Sequence, residues 1–319
     1  MGLLFKYNGN FALARKKLID QAQKAFYALY KKIQNISIPV DLQLKLFDVL
    51  VVPILTYSSE IWGFENKATI EKLHLQFCKR ILGVRSSTPN FMVYGELGRL
   101  EVHIKLKMVC FWHRIASNEN KLSGKLYKLL LHLSEHDNFN FKWISYIKSI
   151  FDDCGYSEIW NIQENVNFNF VKVNIKQRLQ DQFIQRWFTD MNNSSRGEYY
   201  SNFKHEFRYE PYLLKLKSGQ RVHICKLRVC NIKFPIETGR WRKIPRDERL
   251  CTVCGSGLGD EYNYLYECNN NIVLYIRRKF IPIYYTRDPN REKMYSKLKY
   301  CNVKVSMNLS IFIKKSKSC

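Results

Sequence analysis

Apolar side chains recur every three or four positions along most of this chain, and that spacing predicts amphipathic helices. The first predicted helix covers residues 18–33, with Lys and Arg on its opposite face. The second covers about 41–61 and is expected to kink near Pro53, because proline cannot donate a backbone hydrogen bond. The opening stretch, residues 2–11, instead predicts a strand that enters a glycine turn.

Two further helices complete the first helical unit. The third is expected to end at Gly83, which is predicted to take the left-handed position just beyond the helix. The fourth is predicted as one long helix with a single buried face. Residues 1–117 are therefore predicted to form a helical unit. The expected buried residues of the fourth helix are Leu97, Leu100, Ile104, Met108, Phe111 and Ile115.

Polar stretches divide the rest of the chain. Residues 118–196 are predicted to form a helical connector, in which a spacing of four from Ile175 to Met191 indicates core packing. Residues 197–319 follow a polar linker and form a basic C-terminal region. The whole pattern predicts a mainly α fold: a helical bundle, then further helices and a small cysteine-rich knuckle.

The charge of the chain is strongly positive and unevenly distributed. There are 52 Lys and Arg against 28 Asp and Glu, a formal net charge of +24, and residues 201–319 hold 25 of the basic and 10 of the acidic residues. Such an excess attracts phosphate backbones by Coulomb forces and counterion release. Charge therefore predicts RNA or DNA as the partner, bound through phosphates, and argues against a small neutral substrate.

Cysteine usage and hydropathy bear on the compartment. The chain has ten cysteines, most of them isolated within apolar runs, which favours a reducing intracellular compartment, the nucleus or the cytoplasm. No signal-peptide pattern opens the sequence, and the longest apolar run, residues 49–55, is too short to span a bilayer. An anionic membrane is the competing partner for the positive charge. The basic residues are spread over many short helices without one amphipathic anchor, so no membrane partner is expected.

Residue patterns typical of catalysis are weak in this sequence. The triplet "FDD" at 151–153 resembles the acidic pair that polymerases use to hold two magnesium ions. The residues before it have helical spacing and a stop is predicted at Gly155, so both aspartates are expected on the last turn of a helix. His132 and His136 are four apart and are expected on a solvated helix face. We therefore predict no catalytic residue and no magnesium site.

The stretch "ETGRWRKIPRDERLC", residues 237–251, combines several cations with an indole. We expect it to be irregular because it contains a proline, and such a segment can direct guanidinium groups to phosphates and an indole to a base. The alternative is a solvated run of charge with its tryptophan packed into the core. The predicted nucleic-acid-binding residues are Arg240, Trp241, Arg242, Lys243, Arg246 and Arg249.

A cysteine cluster begins where that stretch ends. Cys251, Cys254 and Cys268 are of the type and spacing of zinc ligands, because a gap of two residues lets two sulfurs face one ion from a tight turn. Asp260 is predicted to cap the short helix that carries Asn263 and the third cysteine. Asn263 stands where a fourth ligand is expected, and a neutral amide oxygen is a poor zinc ligand beside thiolates.

Two interpretations of this cluster stay open. It is either a weak zinc site, completed by water or by a side chain folded nearby, or a metal-free group packed through its thiols. The side chains considered as substitutes for the fourth ligand are His205, His223, Cys225 and Cys230.

The pattern Cys251-x₂-Cys254-x₈-Asn263-x₄-Cys268 resembles the CCHC knuckle near the C-terminus of reverse transcriptases from non-LTR, LINE-type retrotransposons, with Asn263 at the position of the family's histidine. Four longer segments, residues 46–64, 73–90, 94–108 and 234–254, are similar to the region after the polymerase palm in jockey-like elements. The likeness covers most of residues 1–280.

The resemblance implies that residues 1–117 correspond to the end of the palm and the helical thumb, and the rest to the nucleic-acid-binding C-terminal region. The family's catalytic aspartate pair lies upstream and has no matching position here. The leading hypothesis is therefore a nucleic-acid-binding C-terminal fragment that lacks the catalytic palm. There are two alternatives. The chain is part of an active reverse transcriptase whose palm lies outside this sequence, or it is a helical scaffold or protein-interaction remnant in which Trp241 is fully buried.

Overall fold

The structure is a computed structural model of the chain. It describes residues 2–7, 9–34, 36, 38–65, 68–102, 104–136, 139–163, 167–281 and 286–316. Helices contain 69% of the residues, and within these ranges there are eighteen α-helices and no β-strand. The predicted mainly α fold is confirmed.

The first nine helices take up the N-terminal half of the chain. They are α1 (Ala12–Gln34), α2 (Val40–Leu50), α3 (Val52–Leu55), α4 (Ser59–Trp62), α5 (Ala68–Leu82), α6 (Asn90–Leu97), α7 (Ile104–Ala116), α8 (Leu122–His136) and α9 (Lys142–Cys154).

Nine more α-helices and one π-helical turn (Asn263–Glu267) follow. The helices are α10 (Ser157–Ile162), α11 (Phe168–Asn192), α12 (Gly197–Ser201), α13 (Tyr212–Lys215), α14 (Ser218–Arg228), α15 (Pro235–Trp241), α16 (Asn271–Phe280), α17 (Arg291–Tyr300) and α18 (Val303–Ser316).

Two expectations for the N-terminal part are wrong. Residues 2–7 and 9–11 are irregular, because a lone strand needs a partner for its backbone groups and the described residues offer none. The helix expected over 41–61 is broken into α2, α3 and α4. Pro53 stands at the start of α3, where a missing amide proton costs little, instead of within a continuous helix.

The predicted fourth helix is also two helices, α6 and α7, separated at Gly98. This glycine has a φ of +54°, and a Cβ built on it would lie 2.3 Å from the backbone nitrogen of Tyr209. The amide of Glu210 donates to the carbonyl of Glu96 at 3.0 Å, so the backbone of a distant segment packs directly against the end of α6. A continuous helix through Gly98 would leave no room for that segment.

By internal contacts the chain forms two compact units, each assembled from three separate segments. The first is Met1–Lys32, Lys45–His74 and Leu100–Arg186, and the second is Ile33–Leu44, Leu75–Arg99 and Trp187–Cys319. The division into residues 1–117, 118–196 and 197–319 was drawn from linker composition and stays a prediction.

The first unit has an aromatic interior. The ring of Trp112 lies 4.8 Å from that of Phe151, measured between centroids, in an edge-to-face arrangement. The indole nitrogen of Trp112 donates to the hydroxyl of Tyr127 at 2.8 Å, and that hydroxyl donates to Gln163 at 2.7 Å. The polar atoms of these large side chains are therefore satisfied within the core.

The second unit buries a network of charges. Arg228 on α14 and Glu96 on α6 are both 0% exposed, and their Nε and Oε2 atoms are 2.9 Å apart. Glu210 places a second carboxylate 3.1 Å from the same guanidinium, and the hydroxyls of Tyr200 and Tyr212 donate to Glu96 at 2.9 and 2.6 Å. Removing one partner from such a network costs about 3–5 kcal/mol, because it leaves a buried charge unpaired.

Among the described residues, no helix combines the length and the apolar character that crossing a lipid bilayer requires.

Candidate metal centre and basic loop

Cys251 and Cys254 lie on a tight turn of the second unit. The turn is closed by an isolated antiparallel bridge between Leu250 and Leu258 and by a 3.0 Å hydrogen bond from the amide of Cys251 to the carbonyl of Gly257. Gly255, directly after the second cysteine, has a φ of +68°, a conformation that favours glycine. The sequence "CTVCGSG" therefore folds into the kind of turn that presents two sulfurs on one side.

The third cysteine is presented by the π-helical turn. Asp260 accepts a 2.8 Å hydrogen bond from the amide of Asn263, which confirms its predicted capping role. Cys268 follows the turn, and its amide donates to the carbonyl of Asn263 at 2.8 Å. Asn263 and Cys268 are thus held at opposite ends of the same short turn.

The three sulfur atoms converge. They lie within 4.8 Å of one another, and those of Cys251 and Cys268 are 4.0 Å apart. Four ligands in a tetrahedron around zinc, each sulfur at about 2.3 Å, have sulfur-to-sulfur distances of about 3.8 Å. Cys251, Cys254 and Cys268 can therefore hold a metal ion after a small contraction.

Asn263, at the sequence position where a fourth ligand is expected, carries an amide. Asn263 is 3% exposed, and its Oδ1 atom is buried without a hydrogen-bond partner. Among the described side chains, the group that can hold a metal contains the three cysteines only, so the four proposed substitutes are not brought to it. His223, for example, lies 3.0 Å from the hydroxyl of Ser310 instead.

Local contacts affect the individual thiols differently. The hydroxyl of Ser256 lies 3.4 Å from the sulfur of Cys254 and lowers the pKa of this thiol to about 7. Burial raises the pKa of Cys268 to about 12. A thiolate is the form that binds metal. Cys254, with its lower pKa, is therefore more readily available as a ligand than Cys268.

The predicted basic segment is partly helical. Arg240 and Trp241 form the last residues of α15, and an irregular loop, residues 242–250, connects them to the first cysteine. The expectation of an irregular segment is therefore wrong for its first part. Pro235 begins α15 at the position where a helix tolerates proline best.

Arg249 ties this loop together. Its Nε and Nη2 donate to the carbonyl of Ile244 at 2.9 and 2.7 Å, and its Nη1 donates to the carbonyl of Ile236 at 3.0 Å. The backbone carbonyl of Arg249 also accepts from Gly259, beyond the cysteine turn. Three of the donors of Arg249 are thus directed into the protein, and the residue joins α15, the loop and the cysteine turn.

The other cations of the loop face solvent. Arg242, Lys243 and Arg246 are exposed, and the nearest carboxylate to Arg246, that of Glu198, is 4.0 Å away. An exposed pair at that distance contributes little energy. We call these three side chains the loop cations; the same loop also exposes two carboxylates, Asp247 and Glu248.

Arg85 is a residue of this site that the sequence did not indicate. Its guanidinium carbon lies 4.5 Å from the ring centroid of Trp241, which is within the range of a cation–π contact. Trp241 is 50% exposed. One part of the indole is therefore covered by a cation while another part faces solvent.

Arg240 has mainly internal partners. Its Nε is 3.3 Å from Oε1 of Glu237, and its Nη1 donates to the hydroxyl of Ser195 at 2.7 Å. Arg196 contacts Oε2 of Glu237 at 2.6 Å, so two guanidinium groups share one carboxylate that is 1% exposed. Glu237 therefore pairs with two guanidinium groups at once.

The acidic pair at 152–153 lies elsewhere, in the first unit. Both aspartates are on the last turn of α9, which ends before Gly155 with a φ of +78°, as predicted. Asp153 is 3.6 Å from the amine of Lys105.

No protein-family model, no curated protein and no solved structure matches this chain.

Proposed function

We propose that this chain binds RNA or DNA through the loop cations and Trp241, and that it has no catalytic role of its own. The observation that carries the proposal is the half-exposed indole held under Arg85, next to three exposed cations on one loop. Exposed guanidinium and ammonium groups neutralise phosphates, and an indole stacks on a base of any identity. The combination suits a single strand without a fixed sequence.

We further propose that zinc occupies the cysteine cluster and stabilises the adjoining loop, residues 242–250. The three convergent thiols are suitable donors for zinc, and the orphaned Oδ1 of Asn263 supplies a weak fourth ligand or a hydrogen-bond acceptor for a bound water. The chemistry that zinc would supply is structural cross-linking. Arg249 would connect the metal-bound turn to the loop, because it is hydrogen-bonded both to the cysteine turn and to α15.

The proposed origin is the C-terminal region of a LINE-type reverse transcriptase. The support is the cysteine spacing together with the four similar segments. The alternative of a helical scaffold without a nucleic-acid role calls for a fully buried Trp241, whereas this residue is 50% exposed. The alternative of an active polymerase depends on sequence outside this chain.

A charge-matched comparison tests the proposal. The triple variant Arg242→Gln, Lys243→Gln, Arg246→Gln is compared with a control, Lys24→Gln, Lys121→Gln, Lys125→Gln, which removes the same charge from exposed positions elsewhere. Affinity for a labelled single-stranded RNA is measured between about 50 and 200 mM salt, where log K falls by about 0.7 per phosphate contact for each unit of log salt.

We expect the slope of log K against log salt to be less steep by about 2 in the loop variant, because three phosphate contacts of about 0.7 each are removed. The control should keep its slope and lose only a little affinity from the lower net charge. Equal losses in both variants would show that net charge alone attracts the strand. A parent slope near zero would reject phosphate neutralisation altogether.

A further inference from the structure

A groove of about 650 Å³ lies in the second unit, where α17 ends and α18 begins. Most of the side chains that line it are exposed, so the groove is open to solvent along the surface. Such a shape suits a chain that lies across the surface better than an enclosed small molecule. We call it the corner groove, and the lining residues that matter here are Lys215, Tyr300, Asn302, Val303, Lys304 and Met307.

Hydrogen bonds hold the corner between the two helices in place. Cys301 ends α17 with a φ of +43°, and its thiol donates to the carbonyl of Leu298 at 2.9 Å. The side-chain oxygen of Asn302 accepts from the amide of Val305 at 3.3 Å and so caps the start of α18. Nη1 of the buried Arg228 lies 3.7 Å from the sulfur of Cys301. The corner is therefore attached to the buried charge network of the second unit.

Two exposed lysines give the corner groove a positive charge. Lys215 is the last residue of α13, and Lys304 lies in the first turn of α18. Among the residues that the structure describes, neither amine is paired with a carboxylate, and none of the lining residues is acidic. Arg240, by contrast, already contacts the carboxylate of Glu237. The two amines of the groove are therefore available to an anion from outside the protein.

The same groove contains an exposed aromatic ring. Tyr300 is the last residue of α17 and is 74% exposed. The amine of Lys299 lies 5.8 Å from the ring centroid and leaves most of the ring accessible. Val303 and Met307, four residues apart on one face of α18, add apolar surface beside it. A surface of this kind accepts the flat face of a base, and the flexible thioether of Met307 adapts to bases of different shape.

Charge and shape together favour a nucleic-acid strand as the occupant. A strand carries phosphates at regular intervals and a base beside each of them, so it satisfies the amines and the ring at once. An acidic peptide offers carboxylates to the amines, but its acidic side chains do not stack on Tyr300. The net charge of +24 also favours a polyanion over a short peptide.

We propose that the corner groove is a second contact for a bound single strand, in which a base stacks on Tyr300 beside Met307 and phosphates lie at Lys215 and Lys304. The proposal deepens the proposed function and rests on it, because it assigns a further site to the same ligand. The strand would then be held at two places of the second unit, the basic loop and the corner groove.

Substitution of Tyr300 tests the stacking contact. The affinity of the full chain for a labelled single-stranded poly-uridine RNA is measured by fluorescence anisotropy. Tyr300→Ala should weaken binding about 10-fold, and Tyr300→Phe should stay within about 3-fold of the parent, because stacking on one aromatic ring contributes on that scale. Tyr275→Ala is the matched control, since Tyr275 is 66% exposed on α16 and does not line the groove. Its affinity should equal that of the parent.

Substitution of the lysines tests the phosphate contacts. Lys215→Gln combined with Lys304→Gln should make the slope of log K against log salt less steep by about 1.4, because two contacts of about 0.7 each are removed. Lys24→Gln combined with Lys125→Gln removes the same charge from exposed positions of the first unit and should keep the parental slope. Photo-cross-linking with an RNA that contains 4-thiouridine should modify the tryptic peptide 300–304.

Unchanged affinity of Tyr300→Ala, or an equal loss in Tyr275→Ala, would overturn the proposal. Equal slopes in the two lysine pairs would overturn it as well. A poly-glutamate peptide that binds the parent as tightly as the RNA, and binds less tightly to Tyr300→Ala, would assign the corner groove to an acidic protein instead.

The variants of the basic loop separate this proposal from the proposed function. If the loop variant binds RNA less tightly and the groove variants do not, the strand function stands and only the second contact is rejected. If the groove variants alone bind less tightly, the groove contact stands and the role of the loop is rejected. A parent chain without salt-dependent RNA binding would reject both.

Discussion

The guanidinium carbon of Arg85 lies 4.5 Å from the ring centroid of Trp241, although the two residues are far apart in the sequence. Arg85 comes from the turn after α5 and Trp241 ends α15. The contact favours one orientation of the indole at the surface, so that less rotational freedom is lost when a base stacks on it.

Trp241→Ala should weaken binding of single-stranded RNA by about 1–3 kcal/mol, because base stacking on an aromatic ring contributes that much per base. Trp241→Phe retains a ring and is expected to keep most of the affinity. Fluorescence anisotropy at a fixed salt concentration measures both. If the alanine and phenylalanine variants bind the RNA with the same affinity, the aromatic ring at position 241 does not contact a base.

Asn263→His should increase zinc affinity, because a neutral imidazole replaces an amide oxygen at the fourth position. An increase on the order of tenfold, or about 1.4 kcal/mol, is expected in competition with a chelator of known affinity. Cys254→Ser is the companion variant and should lose the metal. One tightly held zinc in the parent, unaltered by the histidine, would contradict a weak fourth ligand.

Arg249→Ala should destabilise the second unit by about 2–3 kcal/mol, because it removes charge-assisted hydrogen bonds to two partly buried carbonyl groups. Urea unfolding measures the loss, and trypsin cleavage within 242–250 should become faster. Arg242→Ala, an exposed neighbour, is expected to change stability by less than about 0.5 kcal/mol. Similar stability of both variants would show that Arg249 does not hold the loop.

The buried amine of Lys297 is expected to make the stability of the protein depend on pH. Burial lowers the pKa of its amine from 10.5 to about 7, so the folded state holds the neutral form more readily than the unfolded state does. Between about pH 7 and 10.5 the unfolded chain binds the extra proton, and this residue therefore makes stability rise with pH, by up to about 1.4 kcal/mol per unit.

Lys297→Met removes that dependence. The variant should be more stable than the parent at pH 7 and below, and its advantage should shrink as the pH approaches 10.5. Urea unfolding of both proteins at pH 6, 8 and 9.5 measures the difference. A constant difference across these values would mean that the lysine stays charged in the folded protein.

Local signals in the sequence predicted local features correctly. Helices end at Gly83 and Gly155, both with positive φ, and Asp260 caps the turn that carries Asn263. Each of these features depends on one residue and its immediate neighbours. The mainly α fold and the convergence of three thiols follow from patterns of the same kind.

Features that depend on distant segments were missed. The break at Gly98 exists because the backbone near Tyr209 packs there, and spacing of apolar residues within α6 and α7 contains no sign of it. In the sequence, Arg249 looks no different from the exposed basic residues next to it. In the structure, however, its guanidinium donates to carbonyl groups of its own loop and of α15. Arg85 contacts Trp241 only through the tertiary fold.

The buried pair of Arg228 and Glu96 limits how the chain can be divided for study. A piece that starts at residue 197 keeps the cysteine cluster, the basic loop and Arg228, but it leaves behind the carboxylate that lies 2.9 Å from that guanidinium. The orphaned cation would then sit in an apolar interior with Glu210 as its remaining counter-ion. We therefore expect a piece that also retains residues 75–99 to be more stable than one that starts at residue 197, because it keeps Glu96.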